Sequence, residues 1–299
     1  VASAAWSSGS PINSGRLNCA SGSTPRDAGI IFGGFLSPAS STLTEEYNGS
    51  GWTEDGNLNT ARQQFPGFGT QTAAVGAGGY VNGSGDVANV EEYDGSSWTE
   101  VTDIPSARRG QAGFGTLTAG VICGGVPNSN QTFEYDGTNW TEVAEINTTR
   151  SDMGAAGTYP AGLVFGGNAP PAPNTNAVES WNGSSWTEVS ELNTGRRGLA
   201  GSGTSTAALG FGGDDGSVSG ATESWNGSAW TEVNDLGSAR SYLGGSIAGT
   251  NTVALAFAGR TPSLTTATEE WSFPPATQAK LKEGMIFLSG GTTLKGFGK

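Results

Sequence analysis

Arginines and acids carry what chemistry this 299-residue chain could perform, because it has no histidine and only two cysteines, Cys19 and Cys123. Without histidine neither a Ser-His-Asp triad nor a Cys-His pair can be built. A zinc site of Cys and His ligands fails for the same reason. What remains is a series. Arg16, Arg62, Arg108, Arg150, Arg196 and Arg240 recur at intervals of 42 to 46 residues, and Glu45, Glu91, Glu179, Glu223 and Glu269 recur with them, Phe133 standing in the third place. Clustered guanidiniums could bind an anionic ligand, but internal Arg–Glu pairs account for both series at once. Such pairs make charge-assisted, bidentate-capable bonds. We therefore expect a structural ring that locks neighbouring repeats, with Glu134 replacing the missing third carboxylate.

The remaining acids offer less. Asp214-Asp215 and Glu45-Glu46 are adjacent pairs, but neighbouring acids on a loop or strand are usually solvated rather than set up as the two carboxylates of a glycosidase. Calcium on Asp86, Asp214 or Asp215 would suit oxygen ligands, but nothing in their spacing selects it. No catalytic residue, metal or cofactor is assigned, and the chain is read as non-enzymatic.

The elements that hold these residues follow from the repeat itself. Trp52, Trp98, Trp140, Trp186 and Trp230 each stand ten residues before an arginine, and Tyr47, Tyr93, Tyr135, Trp181 and Trp225 stand five residues before those tryptophans. Glycine doublets precede them at 33–34, 78–79, 124–125, 166–167 and 212–213. A period in the forties with 50 glycines and only 14% charged residues suits short strands and tight turns rather than paired helices. The Asn-Gly and Asp-Gly dipeptides between aromatic and tryptophan are hairpin signals. A sixth unit has Arg240, Ala258-Gly259 and Trp271, then stops, whereas Trp6 lies ten residues before Arg16. The expected fold is all-β: a six-bladed β-propeller whose N-terminal strand closes the last blade, removing two exposed strand edges.

Doublet, aromatic and tryptophan together resemble the kelch motif over residues 1–273, with a hairpin about one residue shorter than is typical. The turn Tyr93–Trp98 is similar to a sialidase Asp-box, but its Asp-x-Gly spacing is lost. The copper site of kelch oxidases requires histidine and is ruled out. Units reading E-S-W-N-G-S-S-W-T-E-V, then L-N-T-x-R and G-x-G-T, are similar to kelch-type repeats in structural proteins of tailed marine phages. The final residues resemble short β-hairpin modules of such virion proteins. This resemblance implies a particle-surface protein, a tail-fibre or decoration component, oligomeric in the particle and recognising a host-surface glycan or protein. A purely architectural decoration role, contacting only other virion proteins, is the alternative. A carbohydrate-active enzyme is the third and least supported.

Charge divides the chain. Up to residue 273 ten arginines face 26 acids, whereas 274–299 holds all four lysines, Lys280, Lys282, Lys295 and Lys299, against Glu283. We expect two segments, a propeller over 1–273 and an attachment or oligomerisation segment over 274–299 that contacts other virion proteins. A hairpin is expected there from 285–288 and 292–294. Net acidity argues against nucleic acid, and no apolar run is long enough for membrane insertion. A chain opening on Val1 suits a processed terminus or a fragment.

The units differ most between doublet and third strand, at 35–44, 80–90, 126–132, 168–178, 214–222 and 260–268. Antiparallel blades place these loops on one face, where varied residues on a rigid scaffold can recognise a ligand. The candidate binding residues are Phe35, Tyr80, Asn168, Pro170, Pro171, Asp214, Asp215 and Arg260.

Overall fold

The structure, a computed structural model, describes residues 4–22, 25–127, 129–273, 286–289 and 293–296. Six four-stranded antiparallel sheets follow one another in sequence. Blade 2 is typical: Gly67–Thr70 innermost, then Ala73–Ala77, Val90–Tyr93 and Trp98–Val101 at the rim. Blade 6 draws Gly244–Gly245, Val253–Phe257 and Thr268–Ser272 from the end of the ring, and its rim strand Ala5–Gly9 from the beginning. That last pairing sets Trp6 opposite Trp271 and Ala5 opposite Ser272. The chain is a six-bladed β-propeller closed by its own N-terminal strand.

The core lies between blades rather than within them, since each sheet buries both faces against its neighbours. Phe114 of blade 3 and Val164 of blade 4 belong to one buried cluster. Glycine makes this stacking possible. A Cβ on Gly162 would sit 2.1 Å from the Phe114 ring, and one on Gly120 would sit 2.3 Å from Phe68. The doublet has its own reason. The amide of its second residue, from Gly34 to Gly259, donates to the carbonyl of the repeated arginine of the next unit at 2.8–2.9 Å. At Gly79 φ is +109° and a Cβ would come within 2.9 Å of the Gln63 carbonyl, so only glycine allows the approach.

Tryptophans tie the rim. The indole N–H of Trp52, Trp98, Trp186 and Trp6 donates to Thr268, Thr44, Thr132 and Thr222 of the preceding blade at 3.0–3.1 Å. Valine fills that threonine position at Val90 and Val178. There the latch fails: Trp140 turns to the Thr102 carbonyl, and the buried Trp230 Nε1 has no partner among the described residues.

Past the ring, Ile286–Ser289 and Thr293–Gly296 pair antiparallel with Leu288 opposite Leu294, a residue or two later than the sequence suggested. The rest of the expected 274–299 attachment segment falls outside the described residues.

Candidate functional site

Each crossing between blades carries the repeated arginine into the sheet it enters. Five arginines meet a glutamate on the third strand of that same sheet: Arg16–Glu45, Arg62–Glu91, Arg150–Glu179, Arg196–Glu223 and Arg240–Glu269, at 2.9–3.1 Å. All ten side chains are buried. The second carboxylate oxygen accepts the amide of Asn13, Asn59, Asn147, Asn193 or Gly237, near the start of the crossing, at 2.6–2.7 Å. The pair thus fastens a crossing to the blade that follows it, rather than bridging two blades face to face. Burial pulls each of these guanidiniums below its ordinary pKa, and the facing glutamate opposes that pull.

The third unit departs from this pattern. Arg108 is 4% exposed, yet makes no ion pair among the described residues. Its guanidinium stacks 4.9 Å above Phe133, and it donates to Ser129 Oγ at 3.0 Å and to Ser106 Oγ and Gln131 Oε1. The expectation that Glu134 would replace the missing carboxylate is wrong. Successive strand residues face opposite sides of a sheet, so Glu134 points away from Arg108, towards Trp181 of blade 4. Phe133 is also not the only change. Pro105 occupies the position of Asn59 and has no N–H for a carboxylate to accept. A cavity of about 390 Å³ opens beside Arg108, lined by Ser106, Ala107, Pro127, Ser129 and Glu145 among others.

On the axis the six crossings meet. Asn18, Gln64, Gly110, Asp152, Gly198 and Tyr242 each donate their amide to the carbonyl of the equivalent residue one blade back, at 2.7–3.1 Å, and Asn18 completes the circle by donating to Tyr242. All six have φ between 54° and 70°. A closed belt of main-chain hydrogen bonds therefore rings the axis, with a small cavity of about 90 Å³ beside it. Asp152 is the acid of this belt. Burial pushes its carboxyl up to about 6 against the opposing pull of Arg197 and Arg109.

The predicted loop residues share the face on which the crossings lie. Phe35, Tyr80, Asn168, Asp214 and Arg260 each bridge, through the backbone, to the residue after a repeated arginine. They sit at the loop bases, half-buried except for the exposed Arg260, whereas Pro170, Pro171 and Asp215 are exposed. Two are engaged locally: Arg109 lies 5.1 Å over the Tyr80 ring and also pairs with Asp86, and Arg260 lies 5.5 Å over Tyr242. Asp214 and Asp215 accept the amides of Gly216 and Ser217 as turn caps. The eight residues surround the axis and do not converge on one pocket. Sequence reasoning missed Ser106, Ser129 and Gln131 around Arg108, although the joint change of Pro105 and Phe133 was visible in the aligned repeats. It also missed the axial belt, for which side-chain type gives no signal.

These features define the class, a closed six-bladed propeller with five of its six repeated arginines paired internally and its variable groups on one face. No family model matches the chain, and no curated protein matches it in sequence.

Proposed function

We propose that this chain is a non-enzymatic, kelch-type display domain of a phage particle that contacts a host-surface glycan or protein through its variable loop face. The observation that carries the reading is the contrast between the repeated, buried groups and those that vary from blade to blade. Five of the six repeated arginines are buried in ion pairs, so the ring of charge is scaffold. Side chains that differ from blade to blade, such as Tyr80, Pro170, Pro171, Asp215 and Arg260, lie instead along one face. Stiff supports with varied loops suit recognition. The kelch-like spacing and the phage-like units support the setting. The lysine-rich 274–299 segment supports attachment to other virion proteins and an oligomeric arrangement.

The test is adsorption. The purified chain should compete with particles for host cells and bind a subset of a glycan array, and grafting blade 5 loop residues 214–222 into the other five blades should abolish both. Retained binding after the graft would overturn the reading. So would a particle map with the loop face buried against neighbouring subunits, which would favour pure architecture.

A further inference from the structure

We propose that the cavity beside Arg108 binds the carboxylate of an acidic sugar, a uronic acid or a related monocarboxylate. The inference deepens the display reading above and rests on it for the choice of face, since residues 126–132 belong to the variable loops.

Arg108 is the one repeated arginine with no ion pair among the described residues. In five blades the guanidinium is paired directly with a glutamate of its own sheet, whereas Arg108 hydrogen-bonds only to neutral acceptors and lies over the Phe133 ring, with Glu142 acting on it at longer range through Gln131. Its surroundings favour an anion by their hydrogen-bond polarity. Ser129 Oγ accepts from Arg108 and from the Gln131 amide, and Ser106 Oγ accepts from Arg108. A hydroxyl that has accepted still has its own proton to give. Both serines therefore present a donor, and Nη1, which spends one N–H on Ser129, holds a second. Three donors beside one buried positive charge match the acceptors of a carboxylate.

The rest of the cavity selects the kind of anion. Glu145 accepts from Asn130 at 2.7 Å, and Glu142 accepts from Gln131 at 2.8 Å. Of the two, Glu145 lines the cavity; its charge weighs more heavily against a dianion such as a phosphate monoester than against a monoanion, and it can accept hydrogen bonds from sugar hydroxyls. Ala107 and Pro127 offer apolar surface for a ring face. At about 390 Å³ the cavity lies within the range of small-ligand pockets. One negative charge, several hydroxyls and a flat apolar side describe a uronic acid.

Titrating the purified chain with glucuronate, and with glucose as the neutral counterpart, tests this by calorimetry or by chemical-shift changes. Glucuronate should bind with a dissociation constant of about 1 mM or tighter and at least about tenfold better than glucose. The decisive variant rebuilds the internal pair, Pro105→Asn with Phe133→Glu, which gives Arg108 the partner it has elsewhere. Glucuronate affinity should then fall at least about tenfold with the urea midpoint kept. Should that variant not fold, Ser106→Ala with Ser129→Ala should weaken binding several-fold. Equal affinity for glucose, no binding at about 20 mM glucuronate, or unchanged affinity in the folded variant would each overturn the inference. If the chain binds neutral glycans on an array yet ignores glucuronate, this inference fails and the display reading survives.

Discussion

Blades 2 and 3 solve the same problem in opposite ways. Both carry an arginine into a buried crossing. In blade 2 the Glu91 carboxylate takes Arg62 on one oxygen, at 3.1 Å, and the backbone and side-chain amides of Asn59 on the other, at 2.7 and 2.9 Å. In blade 3 the crossing starts with Pro105, which cannot donate, and the third strand offers an aromatic face instead of a charge. The two replacements make sense only together. A carboxylate at 133 would find Arg108 but no amide, and an amide at 105 would find no acceptor. Five blades hide the charge completely; the sixth solution leaves it beside a cavity.

Removing one partner of a closed pair should have the largest effect. Glu91→Ala leaves a guanidinium buried without a counter-charge and should cost about 3–5 kcal/mol, read as a lower urea midpoint at constant m-value. A loss below about 1 kcal/mol would mean that blade 2 is no more dependent on its pair than blade 3.

The axial belt serves as control, because all six blades, the third included, make the same bond there. Asp152 is its buried acid. With its carboxyl at about 6 in the fold and near 3.9 unfolded, the folded chain holds a proton that the unfolded chain has lost. Stability therefore falls as pH rises from about 4 to about 6 and stays lowered above. Asp152→Asn tolerates the same positive φ and should stabilise the protein at pH 7 by up to about 3 kcal/mol. The gain should vanish near pH 4 in paired urea melts. A gain independent of pH would assign it to something other than the carboxyl.

The coupling of the two blade 3 replacements is a smaller quantity. Phe133→Glu and Pro105→Asn should each destabilise, whereas the double variant should recover about 1–2 kcal/mol relative to their sum in a double-mutant cycle. Strict additivity would break the comparison between blades. The least of the four effects concerns the rim latch. Val178→Thr supplies the acceptor that Trp230 lacks and should add about 1 kcal/mol; no change in melting would show that the indole finds a partner in solution.

Much of the architecture was legible because the repeat spacing is a direct record of blade geometry. Trp6 placed ten residues before Arg16 was enough to indicate the closing strand, and the glutamate series anticipated its arginine partners. Glu134 went wrong for a reason also readable from sequence, the two-residue alternation of a strand. The axial belt was illegible because it is built from amides and carbonyls, and its side chains run from glycine to tyrosine. The cavity was half legible: Pro105 and Phe133 broke the pattern, but only folding brings Ser106, Ser129 and Gln131 around one guanidinium.

The seam in blade 6 sets how the ring meets force. Ala5 and Ser272 lie opposite each other in register, so both ends of the ring-forming chain leave at one point on the rim. Tension drawing those ends apart would peel a single strand pair bond by bond, while the other five sheets carried none of the load. Its mechanical threshold is accordingly that of the seam alone, however stable the remaining blades are.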